Sequence, residues 1–143
     1  HVLDSPDPLT TPQRTLIRQH PRMSAAIVRQ IRGHDERLVA AVSQHHERLD
    51  GSGYPDGRAG EDVDALARLL AVADTYVALQ SSRAHRSALA SEQAIVEMAE
   101  AARRGRFDHA WTCRLPALTP HWLKIPVTPT PPSSAPALSV LAA

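Results

Sequence analysis

The sequence predicts an all-α protein, and two observations carry this prediction. Apolar residues recur in several segments at the three- and four-residue spacing of amphipathic helices, and residues that cap or stop helices bound most of these segments. In contrast, no segment shows the sustained alternation of apolar and polar residues that is typical of a half-buried strand. The chain has 143 residues, which is enough for one ordinary domain.

The N-terminal segment is expected to lead into two consecutive helices. Residues 1–10 contain two prolines and no periodicity, which predicts an extended segment. Thr11 followed by Pro12 is typical of a helix start. Pro21 has no amide hydrogen, so we expect it to end this first helix near His20 and to open the next one.

The second and third helices are predicted over residues 21–32 and about 36–46, and a loop follows them. This loop, residues 47–61, holds four of the six glycines and is called the glycine-rich loop below. The apolar stripes of the two helices are expected to face the interior, and they consist of Met23, Ile27, Val28, Ile31, Leu38, Val39 and Val42.

Two longer helices and a short one complete the predicted fold. Asp64 can cap a helix that runs to about Leu79, and Ser91 can cap another that stops at Gly105. A short final helix around Trp111 is expected to follow.

The composition changes at Pro116, and residues 116–143 are expected to form a disordered tail. Seven of the 12 prolines lie in this tail, together with many Thr, Ser and Ala residues and no acidic residue. Such a segment buries too little apolar surface to offset the entropy lost on ordering. The predicted folded domain therefore covers residues 1–115.

Composition also excludes several classes of protein. A formal net charge of +1 and only 3% aromatic residues argue against a DNA-binding protein. Cys113 is the single cysteine, so an internal disulfide and a cysteine-rich zinc site are excluded. No membrane-spanning run and no secretory signal is visible, so the expected location is the cytoplasm. Because the chain begins with His1, we expect it to be a piece of a longer protein.

Polar residues interrupt the predicted apolar stripes at four positions. His45 and His46 lie three and four residues after Val42, at the last turn of the third helix. Asp74 lies in the middle of the apolar face of the next helix, and His20 follows the stripe of the first helix. Three imidazoles and one carboxylate are therefore expected to point toward the interior of one small domain.

Each of these residues also has a purely structural interpretation. A lone inward histidine is usually a core residue with a hydrogen-bond partner, and Asp74 could pair with Arg68. Taken together, the four residues favour a metal site, because mixed imidazole and carboxylate ligands suit iron, manganese or zinc. Adjacent histidines diverge on an ideal helix, so His45 and His46 can reach one metal only where the helix ends.

The run HHERLDGSGYPDG at residues 45–57 resembles the signature of the HD-GYP family of phosphohydrolase domains. Gly53, Tyr54 and Pro55 form its GYP element. The resemblance extends in the correct order over about residues 9–115. Its other segments are HPRMSAAIV (20–28), ARLLAVADTYVAL (67–79), SSRAHRSAL (81–89) and GRFDHAW (105–111).

This resemblance implies an HD-type helical bundle with two or three divalent metal ions, most often iron or manganese. The implied activity is hydrolysis of the bacterial second messenger cyclic di-GMP to pGpG or GMP, and the implied partner is a preceding sensor or receiver domain. The matched metal ligands are His20, His45, His46 and Asp74. The matched substrate-binding residues are Gly53, Tyr54, Pro55, Arg83 and Arg86.

The sequence departs from the family pattern at its start. The family's upstream His-Asp pair and the lysine that follows it are missing, and His34-Asp35 lies downstream of the position where that pair belongs. We therefore interpret the chain as an HD-GYP domain truncated at its N-terminus, which alone is expected to hydrolyse cyclic di-GMP weakly or not at all. One alternative is a degenerate module that binds nucleotide or a protein without turnover. Another is a fragment that does not fold stably.

Overall fold

The computed structural model describes residues 10–82 and 86–117, and within these residues the fold is all-α, as predicted. The described part contains an isolated bridge between Asp50 and Ala59 but no strand. The elements are α1 (Thr11–Arg29), α2 (Glu36–Gln44), a 3-10 turn (Gly60–Asp62), α3 (Ala65–Leu79), α4 (Ser91–Arg103) and α5 (His109–Thr112).

Helix α1 is continuous where the sequence predicts two helices. Its N-cap is Thr10 rather than Thr11, and the Gln13 side chain accepts a hydrogen bond from the Thr10 backbone in return. Pro21 lies buried inside the helix. The predicted break near His20 is therefore wrong, and the site geometry below gives the reason.

Helix α2 is fixed at both ends by side chains. The Asp35 carboxylate accepts a hydrogen bond from the Arg37 amide and caps the start of the helix. The helix ends at Gln44, whose buried side chain accepts a hydrogen bond from the Asp64 amide at 2.8 Å. Because Asp64 is the N-cap of α3, this bond ties the end of α2 to the start of the next long helix.

Helices α3, α4 and α5 enclose the main apolar core. The predicted cap of α3 by Asp64 is confirmed, with hydrogen bonds to the Leu66 and Ala67 amides. The predicted cap of α4 is wrong by one residue, because Ser91 is its first residue and Ser91 donates to the Gln80 side chain instead. The buried core residues are Ala71, Val72, Leu79, Ala94, Met98, Ala102, Phe107 and Leu115.

The apolar stripe of α1 is exposed, although the sequence analysis places it in the interior. Met23 is 58% exposed and Ile27 is 65% exposed, and the buried face of the helix is formed by Pro21 and Ala25. Periodicity shows that these apolar residues share one face, but it carries no information about whether another element covers that face. Among the described residues, none does.

Three expectations lie outside the described residues, namely the extended segment over residues 1–9, the tail beyond residue 117 and the role of Arg83. Leu115, the last residue of the predicted domain, is buried against the core. Among the described helices, none is long and apolar enough to cross a membrane.

Candidate metal centre

His20, His45 and His46 form one cluster, as the sequence analysis predicts. Their candidate ligand nitrogens all lie within 4.8 Å of one another, and each side chain is half-buried. His20 comes from the middle of α1, whereas His45 and His46 follow the last residue of α2. The two adjacent histidines converge because the helix has ended at Gln44, so their side chains escape the divergence of an ideal helix.

Pro21 explains how His20 is oriented. In a regular helix the amide of residue 21 would donate to the carbonyl of Ile17, but proline has no amide hydrogen. The imidazole Nδ1 of His20 lies 2.7 Å from that carbonyl oxygen. A carbonyl can only accept, so Nδ1 carries the proton and donates it. The helix therefore continues through Pro21 because a side chain replaces the missing hydrogen bond.

His45 is oriented in the same way at the end of α2. Its Nδ1 lies 2.7 Å from the carbonyl oxygen of Val42, in the last turn, where helix carbonyls lose their amide donors. Nδ1 of His45 is therefore also the donor. In the neutral form of both rings, this leaves the lone pair on Nε2.

The two Nε2 atoms face each other across 3.3 Å. Two lone pairs at this distance repel unless a proton or another cation lies between them. Two nitrogens that bind one ion at 2.0–2.1 Å lie about 2.8–3.4 Å apart at octahedral or tetrahedral angles. The tautomers of His20 and His45, the direction of their Nε2 lone pairs and the distance between these atoms therefore fit a divalent metal. The hydrogen bonds from Nδ1 to backbone carbonyls are of the kind that orient metal-bound imidazoles.

Glu47 holds the glycine-rich loop against this cluster. Its side chain is 2% exposed, and its carboxylate accepts hydrogen bonds from the amides of Asp56 at 2.7 Å and Arg58 at 3.0 Å. No sequence pattern singles out Glu47, because a glutamate in a loop is usually exposed and no periodicity marks it. The sequence feature that could have identified Glu47 is its position directly after the two histidines.

Tyr54 is brought beside the cluster by the close approach of Gly53 to the chain. A Cβ atom at Gly53 would lie 2.5 Å from the Cα atom of Glu47, so no side chain fits there. The Tyr54 amide then donates to the His46 carbonyl, and the two rings lie 4.8 Å apart between centroids. Burial raises the pKa of the Tyr54 phenol, which therefore stays protonated and remains a hydrogen-bond donor.

Arg48 links the glycine-rich loop to the main core. Its guanidinium donates to the carbonyls of His45 and Glu47 and lies 4.6 Å from the centre of the Phe107 ring. Burial lowers the pKa of Arg48, and the nearby Arg106 lowers it further. An ordinary arginine pKa is so high that the side chain stays charged.

Asp74 differs from its prediction, because it is exposed and does not face the interior. It lies outside the histidine cluster. Its carboxylate is nevertheless close enough to raise the pKa of both Tyr54 and Arg48 by its charge. Within the described residues no element covers this side of α3, which is why a polar residue on the apolar stripe meets solvent.

The structural alternative for Asp74 is not supported. Arg68, the arginine considered as its partner, donates to the carbonyl of Val63 and lies 3.9 Å from Asp108. Among the described residues, no ion pair of Asp74 is present. Its charge therefore remains available to a cation.

The other described residues that match the family's substrate-binding positions are Arg86, Pro55 and Gly53, and they differ in their surroundings. Arg86 donates to the carbonyl of Ala78 at 2.7 Å, so in this structure it caps the end of α3. Pro55 and Gly53 line a cleft with Tyr54.

His34 and Asp35 have structural roles, as expected for a His-Asp pair that lies downstream of the position of the family's pair. His34 contacts the Glu36 carboxylate at 2.9 Å, and Asp35 caps α2.

Comparison with known proteins identifies the family. The family model described as "HD domain" matches residues 1–111. The chain belongs to the HD domain family. The fold resembles that of an HDG"Y"P protein from Bdellovibrio bacteriovorus. That likeness has a TM-score of 0.64 at 20% identity and covers 84% of this chain and 37% of the other.

Two curated relatives of this HD domain chain are named as enzymes. It is 39% identical over 107 residues to a cyclic di-GMP phosphodiesterase from Pseudomonas aeruginosa, covering 75% of this chain and 25% of the relative. It is 38% identical over 109 residues to a cyclic di-GMP phosphodiesterase response regulator from Xanthomonas campestris pv. campestris, covering 75% and 28%. The HD domain chain therefore spans about a quarter of the length of these relatives.

Proposed function

We propose that this HD domain is part of a metal-dependent phosphodiesterase that hydrolyses cyclic di-GMP in bacterial signalling. The single observation that carries the proposal is the pair of Nε2 atoms 3.3 Å apart, each on an imidazole whose Nδ1 donates to a backbone carbonyl. The names of the two curated relatives support the substrate. We include in the proposal a cytoplasmic location and a sensor or receiver domain that precedes this one.

The metal ligands in this proposal are His20, His45, His46 and Asp74. The three histidines supply one compact set of nitrogens, and Asp74 supplies a carboxylate at the edge of the cluster. Imidazole with carboxylate suits iron or manganese, which we propose as the metals. When bound, such a metal lowers the pKa of a bound water and offsets the charge that builds on phosphoryl oxygens.

The protein's own residues orient the substrate and the ligands. Pro21 leaves the Ile17 carbonyl free for His20, while Glu47 and Gly53 hold Tyr54 beside the cluster. The protonated phenol of Tyr54 can donate a hydrogen bond to a phosphate oxygen. Arg83 and Arg86 are proposed to meet phosphate as well, and Arg86 can do so with the guanidinium N–H groups that Ala78 does not use.

The test measures cyclic di-GMP hydrolysis by the chain as given and by a version extended upstream in its gene. Both are loaded with Mn²⁺ or Fe²⁺, and products are separated by chromatography. We expect the extended protein to form pGpG or GMP and the shorter chain to do so weakly or not at all. A variant with both His45→Ala and His46→Ala is expected to lose bound metal and activity, whereas His34→Ala keeps both.

The outcomes separate the proposal from its alternatives. Equal turnover by the shorter chain would show that the truncation argument is wrong. Nucleotide binding without turnover by either protein would favour the degenerate module, and metal content unchanged in the double histidine variant would exclude the proposed ligands.

A further inference from the structure

A cleft of about 280 Å³ lies between α1 and the glycine-rich loop. It is lined on one side by the face of α1 that precedes His20 and on the other by the loop residues that approach His46. The lining residues are Thr15, Arg18, Gln19, Gly53, Tyr54 and Pro55. The cleft is smaller than most sites that hold a whole small molecule, which are roughly 300–1,000 Å³. Its size suits one part of a nucleotide.

Arg18 is the charged residue of this cleft. Its guanidinium carbon lies 5.3 Å from the centre of the Tyr54 ring, within the range of a cation–π contact. Among the described residues the guanidinium makes no hydrogen bond and no ion pair. By contrast, Arg22, one turn further along α1, forms an ion pair with Asp56. Arg18 therefore keeps its N–H donors for a ligand.

The position of Arg18 relative to the histidine cluster is set by Tyr54. The ring of Tyr54 lies 4.8 Å from the ring of His46, and the guanidinium of Arg18 contacts the same phenol. A ligand in the cleft would thus contact Arg18 while another part of it reached the histidine cluster. None of the residues that line the cleft is acidic, so an anion meets no like charge there.

We propose that Arg18 binds a phosphate group of the nucleotide substrate in this cleft, outside the histidine cluster, with the Tyr54 ring holding its guanidinium in place. The inference rests on the proposed function and extends it to a further residue of α1, a helix in which His20 is the one residue matched to a metal-binding or substrate-binding role. A cyclic dinucleotide carries two phosphodiester groups, and the one that is not cleaved needs a cation away from the metal. The planar fork of arginine fits two phosphate oxygens at once.

The experiment measures binding of cyclic di-GMP to the full chain with Mn²⁺ by isothermal titration calorimetry. Arg18→Gln is expected to weaken binding of cyclic di-GMP at least tenfold. Arg18→Lys keeps the charge but not the fork, so its affinity is expected to lie between those of the natural chain and Arg18→Gln. The matched control is Arg29→Gln, since Arg29 is an exposed arginine about 16 Å further along α1. Manganese content is expected to be the same in all variants, which a loss of folding would not allow.

Guanosine, which has no phosphate, serves as the second probe. Its binding is expected to be the same for the natural chain and Arg18→Gln. Equal loss of guanosine and cyclic di-GMP binding would overturn the inference in favour of a base contact. Unchanged binding of cyclic di-GMP by Arg18→Gln would overturn it and leave the proposed function intact. If neither the natural chain nor the upstream-extended protein binds cyclic di-GMP, the proposed function fails and the inference fails with it.

Discussion

Nδ1 of His20 lies 2.7 Å from the carbonyl oxygen of Ile17, the carbonyl left without an amide donor by Pro21. A proline inside a helix is ordinarily a cost, because it removes one hydrogen bond and crowds the preceding turn. Here the lost bond is replaced by the side chain of the neighbouring histidine. The exchange fixes the imidazole tautomer and directs Nε2 at His45. The His20-Pro21 dipeptide therefore acts as one unit that orients a ligand.

The first prediction concerns Pro21→Ala. The alanine amide would compete with the His20 imidazole for the Ile17 carbonyl, so we expect Mn²⁺ affinity to fall by about 10- to 100-fold, as it does when the partner of a metal-bound histidine is lost. The free energy of unfolding of the metal-free protein is expected to change little. The alanine amide only restores a hydrogen bond that His20 already supplies, and relief of the ring clash is offset by the loss of about 1.6 kcal/mol for two buried methylene groups.

A loss of metal affinity without a loss of stability distinguishes this effect from simple damage to the fold. Metal affinity is measured by calorimetry and stability by urea unfolding. Pro12→Ala is the control, because Pro12 lies in the first turn of α1, where no carbonyl is left without a donor. Unchanged metal affinity in Pro21→Ala would contradict the prediction.

The second prediction concerns Glu47→Gln. The carboxylate accepts hydrogen bonds from two backbone amides in a buried place, and glutamine offers only one oxygen for them. One amide donor is then left facing an NH₂ group, at an expected cost of about 1–3 kcal/mol in the free energy of unfolding. Urea unfolding measures this cost. Glu61→Gln, an exposed change in the same loop, is expected to cost nearly nothing; a similar loss in both variants would show that Glu47 does not hold the loop.

The third prediction concerns Gly53→Ala. The new Cβ atom would overlap the backbone of Glu47, so the loop must shift and Tyr54 must move away from His46. We expect a loss of roughly 1–3 kcal/mol in stability, which is typical of overpacking, together with weaker nucleotide binding. Gly33→Ala is the control, because Gly33 has a positive φ of 77° but no atom close to the added Cβ. It tests conformational strain alone, and its nucleotide binding is expected to be unchanged.

The helices could be predicted from the sequence, but their surroundings could not. Apolar spacing predicts α2 nearly to its ends, and apolar spacing with the Asp64 cap predicts α3, since both signals are local. The continuation of α1 through Pro21 depends on a side-chain hydrogen bond that no local pattern encodes. Likewise, the spacing that places Met23 and Ile27 on one face does not reveal that no described element covers them.

The same distinction holds for the site. His45 and His46 could be placed together with His20 because a helix end followed by glycines allows both to turn toward one point. Glu47 could not be found, because its burial results from the path of the glycine-rich loop. The apolar neighbours of Asp74 on α3 predict that it faces inward, yet burial also requires an element on the other side.

The last prediction concerns Asp74→Asn. The negative charge of Asp74 raises the pKa of Tyr54, so its removal is expected to lower that pKa, as measured by ultraviolet titration of the metal-free protein. This result tests whether the carboxylate lies beside the cluster.

If Asp74 also binds the metal, Asn removes a charged ligand oxygen, and Mn²⁺ affinity is expected to fall at least about tenfold. Asp62→Asn, an exposed change in the 3-10 turn, is expected to alter neither quantity. A lowered tyrosine pKa with unchanged Mn²⁺ affinity would place Asp74 near the cluster but exclude it as a ligand, leaving the three histidines to hold the ion.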